Sequence, residues 1–469
     1  MKTKREASVM IALLPILILA VIMGVGFGVY RYSVEVLLLI SSFITIAITM
    51  LYGTTWQQIS DAITEKVSKA FMAIFIFVFV GMIIGSWILS GTIPMLIYYG
   101  LKLLSPSLFL VTAFIICCIV SVCTGTSFGC VGTIGLALIG VASGLGINLA
   151  AAAGAIVSGA YFGDKMSPIS DTNNLAPVAA GSPLFPHIAY LFYTTIPSIL
   201  ISLVVYFIAG QSSSIVSDID GNIALDMMSG LENLFEFNVL LLIPLIVVLV
   251  GAIRGMPTIP VMFSAVVISW ILAMIFQGNT IGDCITAAFS GFNMNMSGIE
   301  EMEIGENIRD LVVRGGMTSM TTTILKVLCA FVFAGAMTAS GFIEIILNKL
   351  KSFVHSDGTL VLVAVISTII VTIVVGNAYV PLLLCGELFA EAFKERKLHA
   401  KNLSRILQDS GSIILPLIPW SAAGAYVSST LGVSTVEYLP WAVFCYTGTL
   451  IVLFYGFTGI KVAKISENK

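Results

Sequence analysis

Apolar runs of bilayer-spanning length recur along this chain, and they leave it few ways to fold. Val9 to Tyr30, Phe71 to Leu89 and Leu191 to Ala209 each approach the roughly 20 residues that a helix needs to cross hydrocarbon. Charge is correspondingly scarce. Of 469 residues 58% are hydrophobic and 10% charged, with a mean hydropathy of +1.05, against about 25% charged in a water-soluble protein. The expected class is an all-α polytopic membrane protein. Lys2, Lys4 and Arg5 ahead of the first apolar run imitate a secretory signal. That run is too long and lacks a small-residue cleavage site, so it reads as an uncleaved first span.

Other classes find little support. No basic cluster with interleaved aromatics points to nucleic acid. The eight cysteines contain no CxxC pair and read as small apolar packing residues. His187, His355 and His399 lack metal-ligand spacing and fall in expected loops or interfaces. There is no GxxxxGK[ST] for an ATP-driven pump, and no nucleophile–base pair for an enzyme. No cofactor is expected.

One stretch breaks the apolar pattern. Gly159 to Pro177, GAYFGDKMSPISDTNNLAP, places Asp164, Lys165 and Asp171 with Ser167, Ser170, Thr172, Asn173 and Asn174 where hydropathy calls for membrane. Ionisable groups at that depth are costly and normally face a water-filled path. Pro168 would break a helix there and free backbone groups to bind an ion.

The halves of the chain echo each other. Ser90-Gly91 opens SGTIPMLIYYGLKLLSPS and Ser340-Gly341 opens SGFIEIILNKLKSFVHSDG. Thr124-Gly125-Thr126 ends one apolar run as Gly376-Asn377 ends another. Asp164, followed by Ser167-Pro168, is answered by Asp409-Ser410 with Pro416 and Pro419. Three matches in one order at a nearly constant spacing of about 250 residues argue for duplication, the usual construction of secondary transporters.

Charge placement makes the repeats inverted. Lys/Arg excess marks cytoplasmic loops, which places the N-terminus, Arg254, the loop Glu391 to Arg405 and the tail with Lys461, Lys464 and Lys469 on the inside. The acidic stretch at Asp218, Asp220, Asp226 and Glu232 and the segment with Glu300, Glu301, Glu303 and Glu306 fall outside. Residues 1–235 form the first repeat and 236–469 the second. Each holds three spans, an interfacial helix, a re-entrant hairpin, a broken span and a last span. The first runs 9–30, 34–52, 70–89, 92–104, 108–144, a break at Asp164, and 191–209. The second runs 237–252, 257–276, 318–340, 342–353, 360–390, 405–430 and 438–457. That makes about ten spans, two re-entrant hairpins and two broken helices, with scaffold spans near 9–89 and 237–340 and a transport region near 108–180 and 360–430.

Half-helices that end inside a membrane attract ions, anions at N-termini and cations at C-termini. The tips Thr124, Thr126, Ser127 and Asn377 supply oxygens, which hard cations such as Na+ prefer; helix packing competes as their role. Asp164 and Asp409 are the leading carboxylates. A carboxyl group withdrawn from water holds its proton more tightly, so one group can exchange H+ for a cation. A pair with Lys165 or an N-cap role competes for Asp164, and a pair with Arg405 competes for Asp409. Asp171 can cap a helix as well as bind an ion. The candidate Na+ ligands are therefore Asp164, Asp409, Thr126 and Asn377, with Ser167, Asp171, Thr172, Asn174 and Ser410 beside them. Lys165 is the candidate contact for an organic anion.

GAYFGDKMSPISDTNNLAP resembles the signature of the NhaC family of bacterial Na+/H+ antiporters, G-x-x-FGDK-x-SP-x-SDTT-N-x-A, with Asn173 where Thr is common. TGTSFGCVGTIG from Thr124, VGNAYVPLLLCGE from Val375 and LQDSGSIILPLIPW from Leu407 resemble other blocks of that family. The resemblance covers most of the chain. It implies Na+/H+ exchange in the bacterial inner membrane, by an elevator of hairpins and broken helices moving against a scaffold, in a homodimer. Because the family includes malate/lactate exchangers, it also implies an alternative: an organic anion or amino acid coupled to Na+ and H+.

Overall fold

The computed structural model describes residues 7–213, 221–298 and 306–465. Lys2, Lys4, Arg5, Asp218, Asp220, Glu300, Glu301, Glu303 and Lys469, used above to orient the chain, lie outside the described residues. Within them the regular elements are helical, apart from a single bridge between Leu398 and Lys464. Among the described residues nine helices are long and apolar enough to cross a membrane, or twelve if each of three bent pairs counts as one span.

The first part comprises α1 (Val9–Ile22, extended by a π turn over Met23–Val29), α2 (Val34–Leu51), α3 (Trp56–Leu89), α4 (Thr92–Leu103), α5 (Phe109–Thr124), α6 (Ser127–Cys130), α7 (Leu136–Gly144), α8 (Leu149–Met166), α9 (Asp171–Ala180) and α10 (Leu184–Ser213). The second comprises α11 (Gly221–Leu234), α12 (Ile243–Ile253), α13 (Thr258–Phe276), α14 (Ile281–Ser290), α15 (Glu306–Val312), α16 (Thr321–Ser340), α17 (Phe342–Lys351), α18 (Asp357–Val375) and α19 (Tyr379–Glu395). It ends with α20 (Ala400–Leu407, extended by a π turn over Gln408–Ser412), α21 (Ala422–Leu431), α22 (Thr435–Tyr438) and α23 (Val443–Thr458).

The matched motifs of the two halves share backbone features. Gly91 (φ 84°) and Gly341 (φ 76°) stop long helices in the left-handed conformation that glycine reaches without a Cβ penalty. Each is followed by a short helix, α4 or α17. Gly125 (φ 66°) and Gly376 (φ 69°) end α5 and α18 in the same way, at the hairpin tips. The chain reverses at the first tip. Gly159 of α8 packs on Phe114 and Cys117, and Gly163 packs on Ser121, so α5 and α8 run parallel. α7 meets α8 at Gly135 and Ile156 across the turn Leu145–Asn148, so it runs antiparallel to both. Both arms of this hairpin have the length of a full crossing.

Several boundaries differ from expectation. α3 begins at Trp56, not near 70, because Thr55 and Gln58 form a capping box that starts it early. Its 34 residues reach roughly 51 Å at 1.5 Å per residue, well beyond a 30 Å hydrocarbon core. α10 runs from 184 to 213 and extends past both ends of the expected 191–209. The expected span 237–252 is half of a pair bent by 102° against Ala224–Leu234. Lys326 on α16 meets Glu35 on α2 at 3.8 Å, an ion pair near the starts of two spans.

Packing crosses the midpoint of the chain. One buried cluster joins residues of α3 to α8 with α21 and α23, and another joins α1, α2 and α9 with α16 to α20. This exchange brings Lys165, near the end of α8, against Asp409 in the π turn that extends α20.

Candidate functional site

Each hairpin tip touches the break of its neighbouring broken helix. Gly125 lies against Ile169, within the Ser167–Ser170 break, where any Cβ would collide with that side chain. Gly376 accepts a hydrogen bond from Ala422 N at 3.0 Å, and Trp420 Nε1 donates to Ile373 O at 2.8 Å. Ser167 closes the first contact by donating to Val122 O at 2.9 Å.

Asp164 sits half-buried at the first of these junctions. Its carboxylate accepts hydrogen bonds from Ser170 at 2.6 Å and from Ser127 at 3.4 Å. One hydroxyl comes from the break and the other from the tip. Ser170 also caps α9 through Asn173 N at 3.5 Å and lies 3.3 Å from the Thr172 hydroxyl. Asn174 secures the break by donating to Pro168 O and Ser170 O, both at 2.8 Å. The result is a carboxylate surrounded by hydroxyl oxygens, donors suited to a small hard cation.

Lys165, the next residue, turns elsewhere. Its Nζ pairs with Asp409 of α20, and both side chains are fully buried. Thr194 of α10 completes the group: its hydroxyl accepts from Lys165 at 3.1 Å and donates to Asp409 Oδ2 at 2.9 Å. Thr449 holds the Asp409 backbone carbonyl at 2.8 Å. α23 can approach only because residue 448 is glycine; a Cβ there would stand 2.5 Å from Asp409 Oδ1 and 3.4 Å from Lys165 Nζ. Asp409 thus pairs with a residue of the first half of the chain, not with Arg405 one turn away.

A cavity of about 400 Å³ lies beside the first tip. The hydroxyls of Thr124, Thr126 and Thr133, together with Asp171 and Tyr379, line one side, and apolar residues of α3, α12 and α13 line the other. No Lys or Arg is among its lining residues. Asp171 is exposed to this space at the start of α9.

The expected ligands therefore separate into two groups. Asp164, Ser127, Thr172 and the break meet at one junction, with Thr124, Thr126 and Asp171 at the adjoining cavity. Asp409 is engaged by Lys165 and Thr194. Asn377 receives Val380 N at 3.2 Å, and Ser410 is buried with no hydrogen-bond partner. Lys165 does not line the cavity. Among the described residues no group of three or more His, Cys, Asp or Glu is placed to hold a metal.

Sequence reasoning passed over several contributors. Thr194, Gly448 and Thr449 lie in apolar helices, and only their small or hydroxyl side chains mark them. His187, expected in a loop or interface, is fully buried in α10. It bridges Asn173 (3.0 Å) and Ser404 (2.8 Å), tying α9 to α20.

Residues 159–460, which contain both breaks and the second hairpin, match the model of the Na+/H+ antiporter family. The chain belongs to that family. The antiporter is 43% identical over 453 residues to an uncharacterised Na+/H+ antiporter of Haemophilus influenzae, covering 97% of this chain and 96% of the relative. It is 39% identical to the Na+/H+ antiporter NhaC of Alkalihalophilus pseudofirmus, with 87% of each chain covered. It is 33% identical to a malate-2H+/Na+-lactate antiporter of Bacillus subtilis, covering 91% of this chain and 89% of the relative. Membership makes it a multi-pass membrane transporter rather than an enzyme.

Proposed function

We propose that the protein exchanges Na+ for H+ across the bacterial inner membrane, with Asp164 as the group that carries either ion in turn. The observation behind this is the Asp164 carboxylate held by Ser127 and Ser170 where tip and break meet. A proton and Na+ cannot occupy one carboxylate together, so a carrier that crosses only when the group is loaded must exchange them. Lys165–Asp409 holds the two broken helices together while the loaded site moves. The elevator motion divides the scaffold near 9–89 and 237–340 from a transport region near 108–180 and 360–430, in two inverted repeats joined as a homodimer. Both termini face the cytoplasm, which agrees with the bridge that lays Lys464 of the tail against Leu398 of the basic loop.

The cavity supports a second reading. Its volume of about 400 Å³ exceeds what Na+ needs and would admit a small organic substrate, in keeping with the malate/lactate relative. The absence of Lys or Arg from its lining weighs against a free organic anion and keeps ion exchange first.

Proteoliposomes with an internal pH-sensitive dye separate the readings. A Na+ gradient without organic acid should drive proton movement in the wild type and none in Asp164→Asn. Silence until malate, lactate or an amino acid is added would replace the first reading with the second. Full activity in Asp164→Asn would remove Asp164 from the ion path.

A further inference from the structure

A second cavity, of about 420 Å³, lies away from Asp164, between the start of α10, the start of α20 and the C-terminal tail. Tyr190, Tyr193, Lys401, Lys461, Val462 and Ala463 contribute to its walls, and no Asp or Glu does. The tail is fastened there. Ala463 N donates to Tyr190 Oη and to Asn402 Oδ1, each at 3.0 Å, while Asn402 Nδ2 donates to Ala463 O at 2.7 Å. Lys461 takes a left-handed backbone (φ 52°), which non-glycine residues adopt rarely and at a cost. Its ammonium stands 4.5 Å over the Tyr193 ring.

The charges at this site are unbalanced. Lys401 Nζ stands 5.0 Å over the Tyr190 ring, and the Arg405 guanidinium 4.4 Å over the same ring. Arg405 is 2% exposed, and its Nε and Nη1 have no hydrogen-bond partner. A buried guanidinium with two idle donors is rare, since buried polar groups are nearly always paired and uncompensated buried charge is costly. Aromatic faces offset part of this, about 0.5–2 kcal/mol per contact, yet Nε and Nη1 remain without a partner. Lys401 and Lys461 at the wall, with Arg405 behind Tyr190, face no Asp or Glu across the cavity, and Asp409, the carboxylate that interacts with Arg405, is already paired with Lys165.

We infer that this cavity binds a phosphate oxyanion, held by Lys401 and Lys461 at its mouth and drawn by Arg405 beneath Tyr190. Phosphate suits the site: it offers several acceptor oxygens with one to two negative charges, and Arg and Lys are its usual partners. The volume is too large for a bare halide. Exposed Phe185 and Ile460 adjoin the rim, so the phosphate is either a lipid headgroup with its chains on those residues or free in solution. The site also reaches the transport machinery, because Arg405 lies one helical turn before Asp409 on α20 and the two charges interact.

The test uses the purified full chain and Lys401→Ser/Lys461→Ser, whose replaced lysines are accessible to solvent and outside the ion site. Thermal unfolding is followed against inorganic phosphate, with chloride at matched ionic strength. In parallel it is followed in micelles containing phosphatidylglycerol or phosphatidylcholine, and retained lipid is counted by mass spectrometry. A rise of several degrees with inorganic phosphate in the wild type, absent in the double variant, identifies a free-phosphate site. A rise with phosphatidylglycerol alone, with several-fold more of it retained on the wild type, identifies a headgroup site. Equal responses of the two proteins to both probes would overturn the proposal.

Discussion

Removing one partner of the Lys165–Asp409 pair should be far more damaging than removing both. Asp409→Asn leaves the Lys165 ammonium fully buried without its carboxylate, beside Thr194 and with the Phe444 ring 5.5 Å away. No water reaches either side chain to replace the lost charge. Breaking such a pair typically costs about 3–5 kcal/mol, whereas replacing both members by apolar groups of similar volume is often neutral or stabilising. A domain of 150–250 residues loses about 2–4 °C per kcal/mol, so a chain twice as long should lose ~1–2 °C, or ~3–10 °C for either single variant. Detergent-solubilised wild type, Lys165→Met, Asp409→Asn and Lys165→Met/Asp409→Leu should be compared by size-exclusion after heating. Each single variant should unfold well below the wild type, and the double variant should lie close to it. Additive losses, or a stable Asp409→Asn, would refute the claim that the two charges compensate each other.

Gly448→Ala should act on the same pair without touching a charge. Its methyl would stand 2.5 Å from Asp409 Oδ1, so overpacking should cost about 1–3 kcal/mol and lower the unfolding midpoint. Gly24→Ala, with nothing within 4 Å of its Cβ, is the neutral control. Ser170→Ala should raise the Na+ concentration for half-maximal exchange more than Ser127→Ala, because its hydrogen bond to Asp164 is 2.6 Å against 3.4 Å; a charge-assisted bond is worth about 1.5–3 kcal/mol, roughly 10- to 100-fold. If H+ and Na+ compete for Asp164, apparent Na+ affinity should fall about tenfold per pH unit on the acid side of its titration and level off on the alkaline side; a flat affinity over that range would separate the two ions. Removing the charge at the cavity by Asp171→Asn should weaken Na+ entry while leaving the unfolding midpoint unchanged, as expected for an exposed side chain.

Much of this architecture was readable from hydropathy and glycine. Ser90-Gly91 and Ser340-Gly341 marked equivalent helix ends, and Gly125 and Gly376 marked equivalent tips, because a left-handed turn leaves a strong residue preference. The polar block at Asp164 was conspicuous because charge in an apolar context is rare. The partner of Lys165 was not legible. Arg405 lies one turn from Asp409 and looked the closer cation, yet helix rotation aims Asp409 at α8, and only tertiary packing records that. Thr194 and Gly448 were hidden for a related reason: a threonine or glycine in an apolar helix ordinarily serves packing, and nothing local shows that a buried charge lies opposite. The start of α3 was missed because its first turns are polar, so hydropathy alone trimmed a helix that its capping box begins at Trp56.

The pair between α8 and α20 has a consequence for how the protein is made. Its members are 244 residues apart in the chain. At the usual ~5–20 residues per second, the ribosome needs roughly 12–50 s after emitting Lys165 to reach Asp409. During that interval the Lys165 ammonium lacks Asp409, and placing it at mid-membrane would cost about 2.5–3.5 kcal/mol on insertion scales. Insertion of the first half is therefore provisional. Until the second half arrives α8 can wait near the interface, and a ribosome stalled between the two codons would leave a fragment marked for proteolysis by an unmatched charge.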